Sequence, residues 1–298
     1  MSQPRRVALA LGSGGARGYA HIGAVQVLNE RGFEIAAVAG SSMGALVGGI
    51  LAAGRLDEFT AWATGLKQRD VLRLIDPKWA SPGAMAADRL INHLNGFLTD
   101  VEIENLPIPY TAVATDIAAR REVWFQKGPL SSAIRASIAI PGVITPVVIN
   151  GRLLADGGML NPVPIEPTAA AGADLTVAVS LQAPRPASES AAPVRTTAQP
   201  QWVEDWRVRL RQIFRRDALE VPVPEPALPA DLRIADVLSL SLDAMQDLIA
   251  RYRMAGLPPD VHVTIPVTSC RVMDFHRAPE MIQIGRDLTT KALDEAGL

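Results

Sequence analysis

The chain has little with which to staple itself together. Cys270 is the one cysteine among 298 residues, so no intrachain disulfide can form. Nothing in its cysteine usage signals an oxidising compartment, and a thiolate-rich zinc or iron-sulfur site is excluded because such clusters need several cysteine ligands. The four histidines, His21, His93, His262 and His276, are scattered and make no metal-ligand spacing. Neither sign of charge prevails: 29 basic and 31 acidic side chains give a formal net charge of −2. That balance argues against bulk electrostatic binding of nucleic acid, which needs a strongly basic surface. The opening MSQPRRVALALGSGG predicts a first strand and not a secretory leader. It has two arginines, a short apolar run that breaks at Gly12 and no small-residue cleavage site.

One uncharged stretch is long enough to be mistaken for a membrane span. Residues 35–54, IAAVAGSSMGALVGGILAAG, run 20 residues between Glu34 and Arg55, about the length that crosses a bilayer. Five glycines and the Ser41-Ser42 pair interrupt it, so a buried strand, a tight turn and a buried helix account for it better.

With 48% hydrophobic residues, the chain has the composition of a globular protein that can build a core without metal or disulfide. Val7 to Leu11 predicts a strand, the glycine-rich segment a loop, and the spacing of Ile22, Val25 and Leu28 a helix stopped by Gly32. A second strand over 36–39, the GSSMG turn and a helix to about Ala53 complete a βαβα unit, hence a parallel sheet covered by helices. Residues 110–115, 122–125, 175–181 and 261–266 predict strands, 130–139 a short helix, 236–256 an amphipathic helix and 278–293 a closing helix. Val147 to Leu154 predicts a hairpin around Asn150-Gly151 that delivers Asp156 at its end. Eight of the 23 prolines lie between Pro184 and Pro229, which marks a Pro-rich excursion outside the sheet. Within it, Trp202, Trp206, Leu210 and Ile213 predict an amphipathic helix over 201–219 ringed by arginines. Such a helix suits a surface packed on the domain, a site mouth or an anionic membrane.

Three elements carry chemistry. Gly40-Ser41-Ser42-Met43-Gly44 fits G-x-S-x-G, where a strand-to-helix turn exposes the central hydroxyl, here Ser42. An ordinary glycine-rich turn gives the same pattern; the predicted flanking strand and helix give it weight. Residues 12–18, GSGGARG, form a glycine loop whose backbone N-H groups can converge on an anion. A dinucleotide fingerprint beginning at Gly12 would need glycine where Arg17 stands. With a nucleophile turn on the next strand, an oxyanion site is the better reading. The third element is Asp156-Gly157-Gly158. It fits a plain turn, but a serine hydroxyl needs a base, and a desolvated carboxylate has the raised proton affinity for that work.

Taken together, LALGSGGARGYAHIGAV, GSSMGALVGG, ASIAIPGVITPV, DGGMLNPVPI and MDFHRAPEMIQIG resemble five ordered blocks of the patatin-like phospholipase family, in its bacterial branch similar to the catalytic domain of neuropathy target esterase. The resemblance implies an α/β three-layer sandwich with a central, mostly parallel sheet. It also implies one acyl hydrolase domain over 5–298 carrying 184–231 as an insertion. It implies a Ser/Asp dyad, Ser42 as nucleophile and Asp156 as base, with Gly14, Gly15, Ala16 and Arg17 around the oxyanion, and neither metal nor organic cofactor. The implied substrate is a fatty acyl ester of a phospholipid or lysophospholipid. The protein is then expected in the cytoplasm without a membrane span, with peripheral contact at the inner face of the cell membrane. One departure is visible: Ser13 stands where plant members have the first glycine, which leaves the backbone donors in place.

The residues leave two alternatives open. Ser42, Asp156 and His276 stand in the chain order of a Ser-Asp-His α/β-hydrolase triad, although the glycine loop lies close before the serine for that fold. A catalytically silent protein that binds acyl lipid is the other.

Overall fold

A computed structural model describes residues 4–74, 76–77, 85–86, 94, 96–98, 100–183 and 234–298. The Pro-rich segment 184–231, with the helix expected over 201–219, lies outside them. Residues 1–185 and 243–298 form one compact unit and 186–242 belong to a second.

The glycine-punctuated stretch 35–54 is a strand, a turn and a helix. β1 (Arg6–Leu11), α1 (Ala20–Glu30), β2 (Glu34–Ser41) and α2 (Met43–Ala52) succeed one another as the βαβα unit, and β1 pairs with β2 in parallel. No helix among the described residues is long and apolar enough to cross a membrane. Next come two helices, α3 (Leu56–Gly65) and α4 (Gln68–Leu74). After them stand β3 (Tyr110–Asp116), β4 (Arg121–Phe125), α5 (Leu130–Ser137), β5 (Val147–Ile149) and β6 (Arg152–Asp156). The chain closes with β7 (Leu175–Ala183), α6 (Ile234–Gly256), β8 (Val261–Pro266) and α7 (Ala278–Glu295).

These eight strands make one mixed sheet in the order β8-β7-β1-β2-β3-β6-β5, with β4 also paired to β3. Strands β8, β7, β1, β2 and β3 are mutually parallel. Alternation along β1 and β7 sorts side chains by size. Val7, Leu9, Leu11, Val177, Val179 and Leu181 enter the main core beneath α1, α2 and α7. Ala10 and Ala178 face the other way, against Val163, Ile165 and Ala250 of α6. The sheet is therefore helix-covered on both faces, the three-layer arrangement expected.

The register of β3 brings two strand ends together. Ala112 to Asp116 pair with β4, which occupies one edge of β3 along that length. The opposite edge is shared: β2 takes Tyr110 to Val113 in parallel, and β6 takes Ala114 to Asp116 in antiparallel. The two strands thus run toward each other, and their C-terminal ends meet, Ser41 opposite Val113 and Asp156 opposite Ala114. The hairpin between β5 and β6 turns at Asn150 and Gly151, both at positive φ (50° and 74°), as its two-residue loop requires.

Tyr110, buried at the start of β3, donates its hydroxyl to the Ala45 carbonyl of α2 at 2.7 Å. Tyr110→Phe removes only that bond, so chemical denaturation should show a loss of about 1 kcal/mol.

Candidate active site

Ser42 occupies the turn between β2 and α2 with φ 56° and ψ −122°, a left-handed conformation that costs a non-glycine residue about 1–3 kcal/mol. Surroundings hold it there. Its N-H donates to Ser137 Oγ at 2.9 Å, and Ser137 Oγ donates in turn to the Val113 carbonyl at 2.6 Å. The flanking glycines are required by close approach: a Cβ on Gly40 would lie 2.3 Å from Gly44, and one on Gly44 would lie 2.0 Å from the Leu11 carbonyl oxygen. Any side chain there would push α2 off the strands that aim Ser42.

Asp156 ends β6, fixed by its N-H to the Ala139 carbonyl (3.0 Å) and by Thr115 Oγ1 donating to its carbonyl (2.9 Å). Its Oδ1 accepts the Gly158 N-H at 2.8 Å. Oδ2 is buried with no partner within hydrogen-bond distance, and the side-chain donor that faces the carboxyl is the Ser42 hydroxyl. Slack contact of this kind is common where a reacting group has yet to arrive. Burial pushes the Asp156 carboxyl up to about 7, against the opposing pull of Ser42 and the Gly158 N-H. A carboxylate poised near neutrality and facing a hydroxyl can take its proton.

The glycine loop runs from β1 into a 3-10 turn over Gly15–Tyr19. Three of its N-H groups are spoken for: Gly12 donates to Val179, Ser13 to Pro162 and Ala16 to Val272. Among the described residues the N-H groups of Gly14, Gly15 and Arg17 meet no carbonyl of another segment. Arg17, only 4% exposed, donates Nε to the Gly14 carbonyl at 3.2 Å. Because a trans peptide sets its oxygen and the next N-H on opposite sides, that bond fixes the direction of the Gly15 N-H. Burial lowers the guanidinium's proton affinity, and Asp243 and Cys270 act against that shift.

Ser42 and Gly15 also share the wall of an apolar cleft of about 640 Å³, its open mouth included. Tyr19, Leu46, Phe59, Trp62, Ile138 and Ile144 line much of the rest. Phe59 and Trp62 meet with tilted rings at 5.5 Å, and Tyr19 meets Phe59 at 6.2 Å and Phe275 at 6.1 Å. The lining suits a hydrocarbon chain.

Sequence reasoning left out several participants. Ser137, Tyr19 and Phe275 lie inside the family blocks but were given no role there, and Phe59 and Trp62 lie outside them; strand order and helix packing bring all of them to the surroundings of Ser42. His21 was one of the scattered histidines, but it is fully buried within the loop's helix and its Nε2 lies 2.8 Å from the Gly12 carbonyl. Desolvation lowers it to about 4, so at neutral pH it is uncharged, and the Nε2 facing a carbonyl must carry the proton. His276 lies in the turn Phe275–Arg277 and makes no hydrogen bond or ion pair with Ser42 or Asp156. Among the described residues no cluster of His, Cys, Asp and Glu could hold a metal ion.

A family model described as patatin-like phospholipase matches residues 9–169. The chain belongs to the patatin-like phospholipase family. An uncharacterized NTE family protein of Mycobacterium tuberculosis (strain ATCC 25618 / H37Rv) is 44% identical over 339 residues, covering 98% of this chain and 92% of that protein. Mouse patatin-like phospholipase domain-containing protein 6 is 33% identical over 184 residues, 59% of this chain but 13% of the mouse protein. The crystal structure of VipD from Legionella pneumophila aligns with a TM-score of 0.47 at 15% identity, over 99% of this chain and 67% of that one. As a patatin-like phospholipase the protein is a lipid ester hydrolase, with the mostly parallel, helix-flanked sheet of that family.

The raised Asp156 has a consequence for stability. Unfolded, the carboxyl releases its proton near the ordinary value of 3.8; folded, it does so at about 7. Between those values the folded state holds one proton more, so stability falls as pH rises through the interval and stays low above it. The full loss is about 4 kcal/mol. Asp156→Asn should therefore be more stable than the parent at pH 8, and the gap in denaturation free energy should close toward pH 4.

Proposed function

We propose that the protein is a serine acyl hydrolase that releases fatty acid from phospholipid or lysophospholipid esters through a covalent acyl-Ser42 intermediate. The observation that carries the reading is the juxtaposition of Ser42, held in a strained turn on the wall of an apolar cleft, with the buried Asp156 carboxyl. Ser42 Oγ attacks the ester carbonyl carbon as its proton passes to Asp156. The oxygen that gains negative charge faces the N-H groups of the glycine loop at Gly14 and Gly15, with Ala16 and Arg17 beside them, preorganised donors that cost no rearrangement during reaction. Collapse breaks the bond to the leaving alkoxide, which takes the proton back from Asp156. Water, deprotonated by Asp156, then attacks the acyl-serine, and fatty acid leaves as Ser42 recovers its hydrogen.

The cleft's aromatic and branched aliphatic walls favour a long acyl chain. Each methylene buried is worth about 0.8 kcal/mol, so kcat/KM on soluble esters should climb up to about fourfold per carbon until the cleft is filled. Asp156 must be ionised to act as base, hence kcat/KM should rise with pH and level off above about 7.

The direct test is labelling with a fluorophosphonate, with intact mass and peptide mapping as the readout. One adduct on Ser42 is expected, abolished in Ser42→Ala. Asp156→Asn should lose about a thousandfold or more in hydrolysis because nucleophile and base act as a unit. His276→Ala should stay within about twofold, whereas a triad would make it as damaging as Asp156→Asn. Folded protein that takes no label, with or without lipid vesicles, would instead favour a silent acyl-lipid binder.

A further inference from the structure

Asn161 lies five residues beyond Asp156, fully buried, and its main chain grips both halves of the site. Its N-H donates to the carbonyl of Gly157, the residue after Asp156, at 2.9 Å. Its carbonyl accepts Ser41 Oγ, the residue before Ser42, at 2.6 Å. Any movement of Asn161 is therefore passed to the chain neighbours of both Ser42 and Asp156.

Its side chain is held from elsewhere. Nδ2 donates to Glu122 Oε2 on β4 at 2.8 Å and to Glu166 Oε2 at 3.3 Å. Two carboxylates admit one orientation of the amide, since turning it over would set Oδ1 against both. Oδ1 is left buried without a partner, so the amide gains nothing on its other side. Two part-buried carboxylates converging on one amide repel each other, and Arg253 of α6 offsets that repulsion. It donates Nη1 to Glu166 Oε1 at 2.7 Å and Nη2 to Glu122. Glu122 also accepts Trp124 Nε1 at 2.9 Å. With side-chain exposures of 28% for Arg253, 18% for Glu122 and 32% for Glu166, the cluster is only partly screened by water.

We propose that Arg253, Glu122, Glu166 and Asn161 form a positioning bridge that sets the separation of Ser42 from Asp156, so that α6 governs turnover without touching substrate. This rests on the Ser42/Asp156 dyad proposed as the machinery of hydrolysis. Without Arg253 the carboxylates spread, the Asn161 amide loses its anchor, and the ends of β2 and β6 lose their common tie. A slack dyad still binds acyl chains in the cleft; it reacts more slowly. The signature is a fall in kcat at constant KM, which the mere loss of a fastening between α6 and the sheet would not produce.

The experiment uses the full chain, a soluble short-chain ester and fluorophosphonate, well below the melting temperature of every variant. Arg253→Gln should lower kcat and the labelling rate at Ser42 by about tenfold, with KM within about twofold. Arg253→Lys, which keeps the charge between the carboxylates, should recover at least half of that loss on a logarithmic scale. Asn161→Ala should fall at least as far, and the double variant no further, because both act along one chain of contacts. Should Arg253→Gln not fold, Glu166→Gln carries the same expectation at about threefold, since one arm of the bridge remains. The control is Arg286→Gln, which breaks the exposed α7–α1 ion pair to Glu30 and should leave kcat unchanged. Parental kcat and labelling in Arg253→Gln or Glu166→Gln, a multiplicative double variant, or an equal loss in Arg286→Gln would overturn the bridge alone. Absence of Ser42 labelling in the parent protein would overturn the dyad reading and the bridge with it.

Discussion

One edge of β3 holds this site together. Its hydrogen-bonding groups are divided between a parallel strand arriving from below and an antiparallel strand arriving from above, and the two stop where they meet. Ladder geometry leaves no freedom in that arrangement: once Val113 is opposite Ser41 and Ala114 opposite Asp156, the residues at the two strand ends are neighbours. A slip of one residue in either ladder would turn the side chains to the opposite face. The mixed character of the sheet is thus the geometric means by which a strand-to-helix turn and a carboxylate some 110 residues later come together.

The same crowding that fixes the site also strains it. Ser42 sits in an unfavourable backbone conformation, and Asp156 is buried with half of its carboxyl unpaired. Both are costs to the folded state, held in place by a shell of ordinary contacts: Ser137 on the Ser42 N-H, Thr115 and Ala139 on Asp156, and Asn161 across the two. Strain persists only where surroundings over-determine it. Burial raises the proton affinity of the Asp156 carboxyl, and the apolar cleft beside Ser42 offers a wall that suits an acyl chain.

Much of the fold was legible in the residues. Apolar runs located the strands, Asn150-Gly151 located its hairpin, and the 35–54 stretch resolved into strand, turn and helix because five glycines are too many for a span and suit a crowded turn. Ser42, Asp156 and the glycine loop stood out as candidates because the chemistry proposed for them demands small neighbours at set spacings, a demand written locally. Which loop N-H groups already have an acceptor could not be read there, because that depends on what the rest of the chain lays against them, as the Val272 carbonyl lies against Ala16. His21 was illegible for a related reason, since a lone histidine takes its role from its burial and its partner.

By itself, then, the sequence determined local conformations and the chemical groups on offer, because turns, periodicities and glycine requirements act over a few neighbouring residues. It also carried family membership, through five blocks in order. Tertiary structure alone decided which groups meet. Ser137 under Ser42, the aromatics walling the cleft, and Arg253 reaching Glu122 and Glu166 join residues separated by dozens of positions. Such meetings arise from strand order, register and the packing of helices on two faces of a sheet, quantities settled by the free energy of the whole chain and by no segment of it.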